Sequence, residues 1–128
     1  MPHKIIIADD EVHIRLLLEQ ALEELLDAFD IQVLTASDGE EALKLILQEK
    51  PQLVFLDIMM PTIDGYTVCQ AVKQDPHCKD TRILLLTAKG QVSDRDKGIA
   101  AGAAEYLTKP FDPDYILSIT KKLLDLNR

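Results

Sequence analysis

Five short apolar runs recur along the chain, and a longer stretch with helical spacing follows each one. The runs are Ile5 to Ala8, Ile31 to Thr35, Leu53 to Leu56, Ile83 to Leu86 and Ala104 to Thr108. Most place aliphatic residues at consecutive positions, the pattern of strands buried on both faces. In the first intervening stretch Leu18, Ala21, Leu22, Leu25, Leu26 and Phe29 recur at three- and four-residue spacing, with Glu19, Gln20, Glu23 and Glu24 opposite them. The second opens with Ser37-Asp38-Gly39-Glu40, a capping-box pattern, and carries Ala42, Leu43 and Ile46. The spacing predicts a third helix from about Gly65 to Gln74 and a fourth from near Gln91 to Gly102. A fifth is predicted from near Asp112-Pro113, with Pro113 suited to a first helical turn. This alternation predicts an α/β fold: an open five-stranded parallel sheet covered on both faces by five helices, joined by right-handed crossovers.

The whole of residues 1–128 is read as one domain. A chain of this length buries about two-thirds of its unfolded surface, so it needs neither a disulfide nor a structural metal to fold. Cys69 and Cys78 lie outside any zinc-binding spacing and are read as reduced thiols of a cytoplasmic protein. The N-terminal apolar run is too short for a signal peptide, and no stretch approaches the roughly 20 apolar residues of a membrane span. With 22 acidic against 14 basic residues the net charge is −8, which argues against nucleic-acid binding by this domain alone. The same balance is compatible with a cation site, although composition alone favours the plainer reading of solubility.

In open α/β sheets ligands sit beyond the carboxyl ends of the strands. Asp9, Asp10 and Glu11 follow the first predicted strand, Asp57 ends the third, Thr87 the fourth, and Thr108-Lys109-Pro110 the fifth. Each has an ordinary reading alone: Asp9-Asp10 as a helix cap, Asp57 as a turn cap, Thr87 as a β-former, Lys109-Pro110 as a loop. Their conjunction at neighbouring strand ends points to chemistry. Clustered carboxylates repel one another, and a hard divalent cation such as Mg²⁺ relieves the repulsion. A hydroxyl and an ammonium beside them complete a site for phosphoryl transfer, in which a carboxylate can itself be the nucleophile.

The segments "IIIADDE", "LVFLDIMMPTIDG", "LLLTAKG" and "GAAEYLTKPF" occur in the order and spacing of a known family. From Ile5 to about Leu124 the chain resembles the receiver domain of two-component response regulators, of the chemotaxis-receiver kind. The resemblance implies a flavodoxin-like three-layer sandwich with strand order 2-1-3-4-5. It implies phosphorylation of Asp57 by a histidine kinase or phosphotransfer protein, dependent on Mg²⁺. By position, Asp10, Asp57 and the Met59 carbonyl would ligate the metal, with Asp9 acting largely through water. Lys109 and Thr87 would each hold a phosphoryl oxygen, and Tyr106 would be a switch aromatic that follows Thr87. Pro61 and Gly65 would shape the phosphorylation loop, and Lys109-Pro110 would be a cis peptide. The signalling surface would be the face formed by the fourth helix, fifth strand and fifth helix, acting on a downstream protein or a fused output domain. The only reactions implied are self-catalysed phosphotransfer and autodephosphorylation, so the domain is not expected to be an enzyme in the ordinary sense.

Residue by residue, Tyr106 can also be read as a half-buried strand aromatic with its hydroxyl in water. Met59 and Met60 read as apolar cover, and His13 as a solvated first-turn residue. Met59 and Lys89 flank the acceptor, where the family tunes hydrolysis of the aspartyl phosphate; an apolar Met59 implies no special acceleration. Rival chemistries fare worse. A haloacid-dehalogenase-type phosphatase needs a second acid where Met59 stands. A flavodoxin-like electron carrier needs a phosphate-cradling loop where Asp9-Asp10-Glu11 stands, and no P-loop pattern is present. The alternative within the family is a pseudo-receiver, an interaction module indifferent to phosphorylation. The fifth helix carries Lys121-Lys122 rather than the Arg-rich pattern found where receivers fused to winged-helix domains dimerise, which puts that type of dimer in doubt.

Overall fold

The computed structural model describes residues 3–88 and 95–126. The strands are β1 (His3–Ala8), β2 (Ile31–Ala36), β3 (Leu53–Asp57), β4 (Arg82–Thr87) and β5 (Glu105–Thr108). The helices are α1 (Val12–Ala28), α2 (Gly39–Glu49), α3 (Gly65–Gln74), α4 (Arg95–Ala100) and α5 (Pro113–Leu123). The strands pair in parallel in the order β2-β1-β3-β4-β5. The fold is therefore the doubly wound arrangement that the sequence pattern and the resemblance imply.

The consecutive aliphatic residues of the central strands divide between the two faces, because successive side chains of a strand point oppositely. Ile6, Ala8, Val54, Leu56, Ile83 and Leu85 face a core completed by Ala42 and Ile46 of α2 and Val68, Cys69 and Val72 of α3. Ile5, Ile7, Leu53, Phe55, Leu84 and Leu86 face a second core, completed by Leu18, Leu22 and Leu25 of α1 and Ile116 and Ile119 of α5. Each Val, Leu, Ile or Phe side chain among these, fully withdrawn from water, contributes about 1.5–3 kcal/mol. All five residues of β3 are buried, whereas the edge strands β2 and β5 are largely half-buried. The two edge runs are also the less purely aliphatic ones, IQVLTA and EYLT.

Helix starts follow side-chain chemistry. Asp64 caps α3 by accepting from Thr67 N (2.9 Å), and Asp112 caps α5, whose first residue is Pro113. The capping pattern of α2 is realised one residue later than Ser37-Asp38-Gly39-Glu40 suggests: Asp38 is the cap and accepts from Glu41 N at 2.8 Å. That shift seats Gly39 against the β3–α3 loop, where there is no room for a side chain. A short 3-10 turn, Pro76–Cys78, follows α3 and has no counterpart in the sequence reading. The expected start of the fourth helix near Gln91 lies outside the described residues, which show α4 from Arg95. Cys69 and Cys78 are buried free thiols.

Candidate functional site

β1 leads into α1 on one face, and β3 leads into α3 on the other. The chain therefore parts at the carboxyl ends of these neighbouring strands, the crevice where doubly wound sheets bind ligands. Asp9 and Asp10 follow β1 and Asp57 ends β3, and the three carboxylates offer oxygen atoms all within 4.8 Å of one another. Asp9 is fully buried and Asp57 only 4 % exposed, while Asp10 is open to solvent.

Lys109 arrives from the end of β5, its backbone N–H bonded to Thr87 O at 2.7 Å and its peptide to Pro110 cis. Its Nζ lies 2.8 Å from Asp9 Oδ2, 3.5 Å from Asp57 Oδ2 and 3.6 Å from Glu11 Oε1. Burial pulls the Lys109 amine down, but these carboxylates outweigh it and leave its pKa raised. Burial raises the pKa of Asp9, against the pull of Lys109 and the Glu11 N–H, which Asp9 Oδ1 accepts at 2.9 Å. Asp57 is pushed up to about 6, first by burial and then by the Asp9 charge, opposed by Lys109 and by a long bond from Met59 N (3.3 Å). The site is thus short of positive charge, with an accessible Asp10 on its solvent side.

The structure brings Asp9, Asp10, Asp57 and Lys109 together directly and places Thr87 on the adjoining strand end, 2 % exposed and in register with Thr108. The capping reading of Asp9-Asp10 does not hold: the α1 cap is Glu11, with no side-chain bond to the helix. Met60 is buried, but the Met59 side chain is 58 % exposed rather than serving as cover. Tyr106 is half-buried, yet its hydroxyl is withdrawn from water with no hydrogen-bond partner among the described residues, so the solvated-hydroxyl reading is corrected. The Arg95 guanidinium lies over its ring at 5.9 Å. His13 is exposed beside Glu11, and Lys89 lies outside the described residues.

Sequence reasoning gave no role to two neighbours. Arg15 donates to the Asp9 carbonyl at 2.6 Å, and Glu11 turns its carboxylate toward Lys109. A helical arginine six residues after an aspartate has no distinctive signature. Gly65, which the resemblance places in the phosphorylation loop, has a physical reason to be glycine: a Cβ there would fall 2.6 Å from Asp57 O and 2.8 Å from Ile58 Cα, so α3 starts in direct contact with the end of β3.

Asp9 and Asp57, buried and with pKa values raised by burial, together with the exposed Asp10 form a hard-oxygen donor set that suits Mg²⁺. Asp9, Asp10 and Asp57 would hold it, and Lys109 is placed to receive an anion beside it. What the fold and this crevice define is a doubly wound α/β domain with a carboxylate-lined site at the β1–β3 switch point. The response regulator receiver domain family matches residues 5–121, and the chain belongs to that family, the receiver module of two-component systems. It is 51 % identical over 110 residues to "Probable transcriptional regulator ycf27" of Guillardia theta, covering 86 % of this chain and 41 % of that protein. It is 44 % identical over 124 residues to the alkaline phosphatase synthesis transcriptional regulatory protein PhoP of Bacillus subtilis, covering 97 % of this chain and 49 % of that protein. The chain thus spans less than half the length of these curated relatives. Among solved structures, the chemotaxis response regulator CheY4 of Vibrio cholerae superposes with a TM-score of 0.83 at 29 % identity, covering 96 % of this chain and 99 % of CheY4. The BeF3-activated DrrB receiver domain superposes with a TM-score of 0.80 at 34 % identity, covering 98 % of this chain and 99 % of that one. Among the described residues, no helix is long and apolar enough to cross a membrane.

Proposed function

We propose that this receiver domain is a phosphorylation-activated switch, with Asp57 the phosphoacceptor and a histidine kinase or phosphotransfer protein the donor. The observation that supports it most is the convergence of Asp9, Asp10 and Asp57 within 4.8 Å, with the Lys109 ammonium 3.5 Å from the Asp57 carboxylate. A carboxylate oxygen of Asp57 attacks phosphorus; the new O–P bond forms as the P–N bond to the donor histidine breaks, and its electron pair stays on that nitrogen. Mg²⁺, when bound, offsets the charge of the carboxylates and of the incoming phosphoryl oxygens. Lys109 exchanges part of its pairing with Asp9 and Asp57 for a phosphoryl oxygen, and the Thr87 hydroxyl donates to another. The domain catalyses its own phosphorylation and hydrolysis and turns over no separate substrate.

A phosphoryl group brings about −1.5 to −2 charges to this crevice. Drawing Thr87 and Lys109 toward it biases the ends of β4 and β5, and with them Tyr106 and α4. Output then falls on the α4–β5–α5 face. The relatives named as transcriptional regulators are about twice as long as this chain, which supports an output domain fused to the receiver; a separate downstream protein is the other route for output. Incubation with a small phosphodonor and Mg²⁺, followed by intact mass, tests the reading. A gain of one phosphoryl group that is absent in Asp57→Asn is expected; no gain in the wild type makes the domain a pseudo-receiver.

A further inference from the structure

The loop from Ile58 to Asp64 carries Met59 past Asp57, and it is held from two sides. At its base Gly65 N donates to Ile58 O at 2.7 Å, with α3 packed against the end of β3. At its outer edge it meets the first turn of α2. Gly39 N donates to Pro61 O at 3.0 Å, and Glu40 N donates to Thr62 Oγ1 at 2.9 Å. Thr62 Oγ1 in turn donates to Asp38 Oδ1 at 3.4 Å. A Cβ on Gly39 would stand 1.9 Å from Ile63 O, so no other residue fits there unless the loop backbone moves.

Between these bonds Thr62 has φ +72°, and Ile63 N donates back to Pro61 O at 3.0 Å. This is a γ-turn of positive φ, rare for any residue and most unfavourable for a β-branched one. Such a conformation persists only where its surroundings over-determine it, and it concentrates at functional sites. Here the surroundings are α2. The helix does not need the loop in order to form, because Asp38 already caps it through Glu41 and Ala42 and Ile46 already seat it in the core.

We propose that the first turn of α2 is a positioning element of the acidic site: Gly39 and Asp38 clamp the γ-turn at Thr62, and so hold Met59 against Asp57. The inference rests on the proposed reading of that site as a Mg²⁺-dependent phosphoacceptor. Mg²⁺ affinity and phosphorylation rate then depend on a contact that touches neither the metal nor the phosphoryl group.

The test compares wild type, Thr62→Gly, Thr62→Ser and Gly39→Ala by titration calorimetry with Mg²⁺, by phosphorylation rate from a small phosphodonor, and by thermal melting. Glycine accepts positive φ freely. Thr62→Gly should therefore melt at or above the wild-type temperature while binding Mg²⁺ several-fold more weakly and phosphorylating more slowly. Thr62→Ser, which keeps Oγ, should restore both. Gly39→Ala should lose on the order of 10-fold in Mg²⁺ affinity, the scale of residues that orient metal ligands from behind. Folded Thr62→Gly and Gly39→Ala proteins with wild-type affinity and rate would overturn the inference. If Gly39→Ala does not fold, the Thr62 pair decides alone. A wild type that neither binds Mg²⁺ nor gains a phosphoryl group sinks the reading of the site itself, and this inference with it.

Discussion

The Lys109 ammonium at the end of β5 lies 2.8 Å from a carboxylate oxygen of Asp9, which follows β1. β1 and β5 are separated in the sheet by β3 and β4, so one ion pair spans the ends of all four strands. It does so over Asp57, whose carboxylate is 3.5 Å from the same ammonium. Both members are largely withdrawn from solvent, so the pair is not equivalent to a surface salt bridge. Removing the cation from Asp9 and Asp57 leaves buried negative charge unpaired. Lys109→Met is expected to destabilise the domain by about 3 kcal/mol at neutral pH, the scale of breaking a buried pair. Urea denaturation in chelator reads it; a loss below a few tenths of a kcal/mol would show that the ammonium is not balancing the site.

Asp57 makes the opposite prediction. Burial and the Asp9 charge push its pKa up to about 6, from an ordinary 3.8. The folded protein therefore holds an extra proton between these values, and the stability this residue contributes falls as pH rises through that window. Above about pH 6 the ionised form costs up to about 3 kcal/mol, because each pKa unit is worth about 1.4 kcal/mol. Asp57→Asn, which resembles the protonated acid, should raise the melting temperature at pH 7.5 without metal. The gain should disappear near pH 4. An equal gain at both pH values would place its origin elsewhere than in the charge.

Mg²⁺ and protons should compete for the same carboxylates. Excess Mg²⁺ is expected to raise the melting temperature at pH 7.5, by linkage of about 2.7 kcal/mol at 100 times its dissociation constant. The stabilisation should shrink as pH falls through about 6, where Asp57 takes up its proton. Chelator should reverse it and abolish phosphorylation. Thermal melts across pH with and without Mg²⁺ measure this, and a pH-independent stabilisation would argue that the metal binds at carboxylates other than Asp57.

How much of this was legible in the sequence depended on whether the information is local. The strands β1, β3 and β4 are consecutive aliphatic runs, because a doubly covered sheet dictates that pattern whatever lies at the site. Asp57 was legible because a single acid ends such a run. Lys109 and Thr87 became legible only through their conjunction with the acids at the ends of the predicted strands. The Thr62 γ-turn and its clamp to Asp38 and Gly39 were not, because two segments more than 20 residues apart create the contact and its donors are largely backbone N–H groups. Likewise nothing in "GAAEYLTKPF" reports that the Tyr106 hydroxyl is shut away from water, a property of the tertiary packing rather than of the local sequence.

That hydroxyl makes Tyr106→Phe informative. A buried donor without a partner among the described residues costs about 1–3 kcal/mol in desolvation. Removing it should leave stability unchanged or raise it by about 1 kcal/mol, while phosphorylation of Asp57 proceeds as in wild type. If Tyr106 couples the site to the output face, the response of a partner to phosphorylation should change while the phosphorylation rate does not. A loss of stability above about 1 kcal/mol would mean that the hydroxyl is satisfied in the folded protein.

Met59 bears on how long the signal lasts. It is 58 % exposed and follows Asp57 by two residues, on the loop beside the acceptor. A thioether is a weak acceptor and no donor, so it orients no attacking water. The phosphorylated domain should therefore persist well beyond seconds in Mg²⁺ without any phosphatase. Met59→Asn, which supplies an amide able to hold a water, should shorten that lifetime several-fold without changing the rate of phosphorylation. Intact mass followed over time after removal of the phosphodonor measures both proteins. Equal lifetimes would assign control of hydrolysis to groups other than this side chain.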